Sequence, residues 1–122
     1  MYIVVAGKQR ALRNALKGFL QTRPGYEVVG TAADKEELLI QVETKSPDLL
    51  LLDEDLTVLL IEEVIVPLQR FDPCPKIVVL GGRPESRKKY LDAGVATLVG
   101  KAGPPKSLLT AIEEIRLQRN NV

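Results

Sequence analysis

Two kinds of segment alternate along this chain, and their hydrophobic patterns predict different secondary structures. Five short runs are rich in Val, Ile and Leu, which is typical of strands. They span residues 2–6, 26–31, 48–52, 76–80 and 96–99. The longer stretches between them place apolar residues every three or four positions, as helices that pack on a sheet do. The alternation predicts an α/β domain of (βα)5 type, a doubly wound parallel five-stranded sheet with helices on both faces.

The helical stretches also carry signals of where helices begin and end. The first has one apolar face and stops before a Pro-Gly pair; that face holds Leu12, Ala15, Leu16, Phe19 and Leu20. The second opens with Asp34 as N-cap and Glu37 three residues later, the pattern of a capping box. The third, at about 56–71, must kink or end at Pro67, because proline lacks an N–H and crowds the preceding turn.

Length and composition favour one domain and exclude several kinds of catalytic and metal site. With 122 residues and 45% apolar content, we expect a single domain over residues 1–122. There is no histidine, which excludes Ser-His-Asp and Cys-His nucleophiles and histidine metal ligands. The one cysteine, Cys74, excludes an internal disulfide and a cysteine-based zinc site.

Charge and hydropathy predict a cytoplasmic protein. The 17 Lys and Arg residues nearly balance the 16 Asp and Glu residues, so the formal charge of +1 gives no bulk attraction to nucleic acid or anionic membranes. No apolar stretch approaches the roughly 18 to 20 residues of a membrane span. Residues 1–6 lack the basic start and the length of a signal peptide. We therefore expect no nucleic acid or membrane partner for this domain.

Asp53 is the strongest candidate for chemistry. It ends the most apolar run of the chain, residues 47–53, and α/β domains place their sites at the carboxyl ends of parallel strands. The first run should open at the same edge, but it ends in Gly7 and Lys8 and brings no second acid. The turn at 6–10 also lacks the G-x-G-x-x-G motif, which disfavours a dinucleotide site.

Several segments resemble a known family. Residues 47–53, 92–95 and 98–101 occur in order and at suitable spacing, and with them the chain resembles a response-regulator receiver domain of two-component signalling. Residues 26–32 and 101–105 look like the branch that usually carries a LuxR-type helix-turn-helix. The resemblance implies a flavodoxin-like sheet of strand order 2-1-3-4-5 and a signalling role, not an enzyme. It implies a protein partner, such as a histidine kinase or a second copy, and leaves open whether the chain is stand-alone or excised from a longer DNA-binding regulator.

The resemblance assigns roles to Asp53 and Lys101. In the family, the aspartate at the end of the third strand takes a phosphoryl group, and the lysine after the fifth strand pairs with that carboxylate or phosphoryl group. The transfer needs an ionised carboxylate and a metal ion that neutralises charge on the phosphoryl oxygens. The structural alternatives are an aspartate that caps the next helix and a lysine on a solvated loop.

Four residues depart from the family's pattern. Gly7 and Lys8 replace the two acids that hold magnesium, so a hard cation would find only Asp53 and backbone carbonyl oxygen. Gly81 replaces the hydroxyl residue that senses the phosphoryl oxygen, and Leu98 replaces the aromatic residue that follows it inward. We therefore expect no metal site and no cofactor, with magnesium only if the ordinary phosphorylation cycle is retained.

Lys8 offers a substitute for the charge of the metal ion. Neighbouring strands are about 4.8 Å apart, so a side chain that leaves the end of the first strand can reach a carboxylate at the end of the third. We hypothesise that Lys8 and Lys101 hold Asp53 in one ionised state. The alternative is that Lys8 extends into water.

Two surface features are candidates for binding a partner. Leu59 and Val66 lie one heptad apart, roughly opposite the helix face that should cover the sheet. Arg87, Lys88 and Lys89 form a basic patch that, by the resemblance, falls on the family's common docking and dimer surface. Single exposed apolar residues and a solvated charge run are the alternatives.

The departures favour an atypical receiver, or pseudo-receiver, that works through protein contacts without the magnesium-dependent cycle. The alternative is a working phosphoacceptor that uses Asp53 with Lys101, with Lys8 replacing part of the charge of the metal. A small enzyme or ligand-binding domain of flavodoxin-like topology is a third interpretation, disfavoured because the chain has no His, no Trp and no cofactor motif.

Overall fold

The computed structural model describes residues 1–56, 61–81 and 87–120, where strands and helices alternate. The strands are β1 (Tyr2–Ala6), β2 (Glu27–Ala32), β3 (Leu49–Asp53), β4 (Lys76–Leu80) and β5 (Thr97–Val99). The helices are α1 (Arg10–Gln21), α2 (Lys35–Lys45), α3 (Ile61–Leu68), α4 (Arg87–Asp92) and α5 (Pro105–Asn120). A short 3-10 turn, Glu54–Leu56, follows β3. Each strand begins and ends within one residue of its predicted bounds.

The five strands form one parallel sheet in the order β2-β1-β3-β4-β5. The predicted (βα)5 fold and strand order are therefore confirmed. β3 lies at the centre, with Ala6 of β1 opposite Leu52 and Leu80 of β4 opposite Asp53. The carboxyl ends of β1, β3 and β4 consequently meet at one edge of the sheet.

The four leucines of β3 show why this strand is apolar along its whole length. Successive side chains of a strand point to opposite faces of the sheet. Leu50 and Leu52 belong to the core on the face covered by α2 and α3, and Leu49 and Leu51 belong to the core under α1 and α5. All four are fully buried, and each contributes about 1.5–3 kcal/mol through burial. Asp53 is thus carried at the end of a strand that is anchored on both faces.

The capping pattern predicted for α2 is confirmed. The Asp34 carboxylate accepts a hydrogen bond from the Glu37 backbone N–H at 2.8 Å, and the Glu37 carboxylate accepts one from the Ala33 N–H, also at 2.8 Å. The helix ends at Ser46, whose φ of 46° is left-handed and stops the helical path. These contacts satisfy N–H groups at the start of the helix that have no partner within it.

α1 buries less of its predicted apolar face than expected, whereas α3 buries three apolar residues. In α1 only Leu20 is buried, and the rest of the predicted apolar face is partly buried or exposed: Leu12, Ala15, Leu16 and Phe19. α3 buries Val64, Ile65 and Leu68, and it ends one residue after Pro67. Across residues 1–56, 61–81 and 87–120, no helix has the length and apolar character needed to cross a membrane.

Candidate functional site

Asp53 is the last residue of β3 and the only charged side chain that is buried in the described part of the chain, with 2% of its surface exposed. Gly7 directly follows β1, the strand beside it. A Cβ atom placed on Gly7 would lie 3.5 Å from Asp53 Cβ and 3.7 Å from Asp53 Oδ2. A side chain at position 7 would therefore contact the carboxylate, as a shared sheet edge requires.

Lys101, which follows β5, forms an ion pair with Asp53. The Lys101 Nζ atom lies 2.5 Å from Asp53 Oδ1 and 2.8 Å from Asp55 Oδ2. The backbone N–H of Asp55 donates a hydrogen bond to Asp53 Oδ1 at 3.0 Å, so the turn after β3 holds the two carboxylates on the same ammonium. Partial burial acts to lower the pKa of Lys101, but the hydrogen bonds and charges of Asp53 and Asp55 outweigh it and raise the pKa above its ordinary value.

Asp55 is a site residue that sequence reasoning missed. Its signal is an acid two residues beyond the end of a buried strand, in a segment that turns at once as a 3-10 helix. The turn directs the Asp55 carboxylate toward the loop after β5, where Lys101 lies. A strand pattern alone does not reveal this, because the direction of a side chain beyond the strand end depends on the turn that follows.

Arg13 donates hydrogen bonds to two backbone carbonyl groups just after β1. Its Nη1 atom donates to the Gly7 carbonyl at 2.7 Å and to the Lys8 carbonyl at 3.1 Å. Arg13 was also missed in the sequence analysis. The pattern that could have indicated it is a basic residue one turn into the helix that follows the strand. The contact brings a fixed positive charge to the same sheet edge as Asp53.

Lys8 does not reach Asp53 in this arrangement. Its side chain is exposed, and the ion pairs among the described residues join Asp53 to Lys101 but not to Lys8. The reason is that Lys8 lies beyond the end of β1 and extends into solvent. The hypothesised contact of Lys8 with Asp53 is therefore not formed, and a role for Lys8 at this site stays a prediction.

The residues at this edge depart from the magnesium site that the resemblance implies. Mg²⁺ is held through carboxylate oxygens in near-octahedral geometry. Positions 7 and 8 supply no carboxylate, and the Gly7 carbonyl already accepts from Arg13. Within residues 1–56, 61–81 and 87–120, no three His, Cys, Asp or Glu side chains are grouped to hold a metal ion.

The two positions that correspond to the family's switch are Gly81, after β4, and Leu98, in β5. Gly81 follows β4 with a φ of +104°, and a Cβ atom there would lie 3.1 Å from Glu54 Oε2. Glu54 Oε2 is itself buried and has no hydrogen-bond partner in the described ranges. Leu98 is partly buried against the core on the α2 and α3 face. Position 81 thus presents no hydroxyl group and adopts a backbone conformation that L side chains rarely take.

The residues suggested for partner binding are exposed where they can be assessed. Arg87, Lys88 and Lys89 lie on the exposed surface of α4, and Val66 of α3 is 51% exposed. Leu59, the predicted companion of Val66, lies outside the described residues. Exposure is required both for a docking surface and for simple solvation, so the partner role of these residues stays a prediction.

Comparison with known proteins assigns a family to this geometry. The family model for the response regulator receiver domain matches residues 3–113. A two-component response regulator of the LuxR family from Aurantimonas sp. SI85-9A1 has a similar structure, with a TM-score of 0.85 and 26% identity over 93% of this chain and 83% of that one. A CheY-like receiver domain protein from Methanospirillum hungatei JF-1 has the same fold, with a TM-score of 0.85 and 24% identity over 98% of this chain and 96% of that one.

The curated relatives are longer proteins. A protein-glutamate methylesterase/protein-glutamine glutaminase from Halalkalibacterium halodurans is 29% identical over 117 residues, which are 93% of this chain and 33% of that protein. The chain therefore spans about a third of the length of the curated relatives it matches. The match over residues 3–113 and the shared strand order confirm the resemblance, and the chain belongs to the family of response regulator receiver domains.

Proposed function

We propose that this receiver domain is an atypical one, which signals through contacts with other proteins and not through magnesium-dependent phosphorylation. One observation carries the proposal. The end of β1 offers no carboxylate beside Asp53, and its Gly7 carbonyl is bonded to Arg13 at 2.7 Å. This hydrogen bond from a fixed cation supports the loss of the family's metal site.

The loss of the metal site bears directly on phosphoryl transfer. Moving a phosphoryl group onto a carboxylate brings negative charges together, and a divalent cation normally neutralises them. Asp53 and Asp55 are both paired with Lys101, and they are a poor ligand set for Mg²⁺, which is reluctant to give up its water shell. The guanidinium of Arg13 adds like-charge repulsion toward any divalent cation that approaches this edge.

Lys101 neutralises Asp53 without a metal ion. A buried carboxylate costs several kcal/mol unless it is paired and hydrogen-bonded. Asp53 receives a cation from Lys101 at 2.5 Å and a backbone N–H from Asp55 at 3.0 Å. Asp55 in turn holds Lys101 at 2.8 Å. This arrangement supports the paired state of Asp53 and Lys101 as the resting state of the domain.

The residues that report phosphorylation in the family are changed as well. Gly81 has no hydroxyl to follow a phosphoryl oxygen, and Leu98 has no ring to turn inward. A contact surface for a protein partner needs neither. Receiver domains bind kinases and other proteins, and here we infer a histidine kinase or a second copy as partner, with Arg87, Lys88 and Lys89 offered to an acidic surface.

We infer that the domain is not itself an enzyme and that it works in the cytoplasm. The methylesterase and glutaminase activities belong to the named relatives, of which this chain spans about a third. Asp53 and Lys101 pair with each other at the site. The chain also has no histidine that could act as a general base.

A phosphoacceptor is the alternative function, and the Lys101 contact is the observation that favours it. A carboxylate is the nucleophile in such a transfer, and the Lys101 ammonium 2.5 Å from Asp53 Oδ1 could stabilise the added negative charge. In this alternative a kinase phosphorylates Asp53, and Lys101 stabilises the product. The two functions differ in whether Asp53 is ever modified.

Intact mass after incubation with acetyl phosphate separates the two functions. The wild-type chain and the Asp53→Asn variant are incubated with and without magnesium, beside a receiver domain that retains both acids as a positive control. We expect no gain of a phosphoryl group by either form of this chain. A gain of one phosphoryl group that requires both Asp53 and magnesium would overturn the proposal and assign the phosphoacceptor function.

A further inference from the structure

A groove of about 400 Å³ lies between the segment that joins α1 to β2 and one side of α5. Its lining combines basic, aromatic and apolar side chains: Arg23, Pro24, Tyr26, Lys106, Leu109, Thr110, Glu113 and Arg116. None of these residues takes part in the contacts around Asp53. The groove is therefore separate from the site at Asp53.

The groove carries more positive charge than its own carboxylate can balance. Arg23, Lys106 and Arg116 face a single acid, Glu113. Glu113 already accepts a hydrogen bond from the Tyr26 hydroxyl at 2.6 Å and lies 3.9 Å from Arg116 Nη1. Arg23 and Lys106 form no ion pair among the described residues, so two cations are left without a counter-charge.

The arginines of the groove are positioned by aromatic rings. The Arg23 guanidinium carbon lies 5.3 Å from the centre of the Phe19 ring, and that of Arg116 lies 6.0 Å from the centre of the Tyr26 ring. A guanidinium held over a ring has fewer orientations to lose when it binds a carboxylate. Leu109, on α5 between the cations, adds an apolar surface. The groove is suited to two carboxylates that flank an apolar side chain.

The exposed face of α2 presents that combination. Glu36, Ile40 and Glu43 are all exposed and are spaced at i, i+4 and i+7, so they lie on one side of the helix. Ile40 is 57% exposed, which is the largest exposed fraction among the large hydrophobic residues in the described ranges. An apolar side chain between two acids is thus left uncovered on the molecule.

The spacings on the two surfaces also agree. Lys106 and Leu109 are three residues apart on α5, and Glu43 and Ile40 are three residues apart on α2. At about 1.5 Å per residue, both separations are about 4.5 Å along the helix axis. Packing Ile40 on Leu109 with the two helices antiparallel would therefore bring Glu43 to Lys106 and place Glu36 at the level of Glu113, about one turn from Arg116.

We propose that this groove binds the exposed face of α2 from a second copy of the chain. The contact joins two different surfaces of the molecule, so each copy still has one groove and one α2 face free after pairing. Such a heterologous contact adds further copies instead of closing as a symmetric dimer. The proposal does not depend on whether Asp53 is phosphorylated.

Nucleic acid is a poorer match for the groove. Its binding rests on many phosphate contacts, about six to ten for typical proteins, whereas the groove offers three cations. The formal charge of +1 for the whole chain gives no broad positive field to support them. Two carboxylates on a helix need only two or three cations.

Sedimentation velocity tests the proposal with two charge reversals. The full chain is measured from about 10 µM to about 1 mM, the range of weak transient contacts, in low and high salt. We expect the average mass to rise with concentration past that of a dimer in low salt, and to fall toward the monomer in high salt. Lys106→Glu and Glu43→Lys should each abolish the rise, whereas Lys17→Glu, which reverses a charge on the exposed surface of α1, should preserve it.

Mixing the two variants supplies the decisive measurement. Lys106→Glu retains an intact α2 face and Glu43→Lys retains an intact groove, so an equimolar mixture should associate although each variant alone does not. Circular dichroism and thermal unfolding check that both variants are folded. For the wild-type chain, a monomer at every concentration or a mass that stops at the dimer would overturn the proposal. A mixture of the two variants that does not associate would overturn it as well. Binding of a synthetic Glu-rich peptide by a chain that stays monomeric would assign the groove to another protein and overturn self-association.

Discussion

The Lys101 Nζ atom lies 2.5 Å from Asp53 Oδ1, although the two side chains differ greatly in solvent exposure. Asp53 is 2% exposed, whereas the Lys101 side chain is 35% exposed. If the pair is broken, Lys101 can recover its hydration but Asp53 cannot. The contact therefore matters more to the carboxylate than to the ammonium, and this asymmetry leads to the first prediction.

Lys101→Ala should lower the free energy of unfolding because it leaves Asp53 charged, buried and without its cation. Breaking a buried pair costs about 3–5 kcal/mol, and the partial exposure of Lys101 reduces the expected loss to about 1–3 kcal/mol. Urea unfolding measures the loss, with Lys17→Ala on the surface of α1 as a matched control. Adding Asp53→Asn to Lys101→Ala should recover most of the stability. Equal stabilities for Lys101→Ala and the control would contradict the pairing.

Two acids introduced at the end of β1 should create a magnesium site. The space beside Asp53 accepts a side chain at position 7, where a Cβ atom would lie at ordinary contact distance. The double variant Gly7→Asp/Lys8→Asp should bind Mg²⁺ about tenfold or more tightly than the wild-type chain, measured by isothermal titration calorimetry. The control Lys17→Asp/Gly18→Asp makes the same charge change on α1 and should bind no better than wild type. If both variants bind alike, missing carboxylates are not what excludes the metal.

Gly81→Ala should destabilise the domain. The φ of +104° is strained for any L side chain, and a Cβ atom would crowd Glu54 Oε2 at 3.1 Å. The expected cost is about 1–3 kcal/mol. Gly18→Ala is the control, because Gly18 lies inside α1 with nothing within 4 Å of its Cβ position, and alanine there should stabilise by about 0.5–1 kcal/mol. Guanidinium unfolding of both variants would reveal the opposite signs.

The pKa of Tyr26 should respond in opposite directions to its two charged neighbours. Burial raises this pKa, the hydrogen bond and charge of Glu113 raise it further, and Arg116 acts to lower it. Glu113→Gln should therefore lower the pKa of Tyr26, and Arg116→Gln should raise it. NMR titration of the Tyr26 ring carbons, assigned with Tyr26→Phe, measures both changes. A shift in the same direction for the two variants would contradict this arrangement of the groove.

The same contact gives a pH dependence with a defined sign. Because the folded-state pKa of Tyr26 is raised, its contribution to stability is present below the unfolded-state pKa of about 10. The contribution is lost as the pH rises through the folded-state pKa. The wild-type chain should therefore lose more stability than Tyr26→Phe over that alkaline range, as measured by urea unfolding at fixed pH values.

The repeating pattern of the sequence was sufficient for the fold. Buried parallel strands are apolar along their length, whereas amphipathic helices place apolar residues every three or four positions. Because the two patterns alternate five times, strands and helices could be told apart. The capping pair of Asp34 and Glu37 acts within a single turn and was read correctly for the same reason. Asp53 could be assigned to the sheet edge because it is the last residue of a strand, and the carboxyl ends of parallel strands lie at one edge of the sheet.

Contacts between residues distant in sequence were decided only by the tertiary structure. The role of Asp55 depends on how the 3-10 turn after β3 aims a carboxylate at Lys101, 46 residues away. Even the nearer contact of Arg13 with the carbonyls of Gly7 and Lys8 depends on how the chain turns between β1 and α1. Lys8 was within reach of Asp53 by strand spacing alone, yet it extends into solvent. Sequence patterns place a residue on an element, whereas the direction of a long side chain follows from which neighbours offer it a partner.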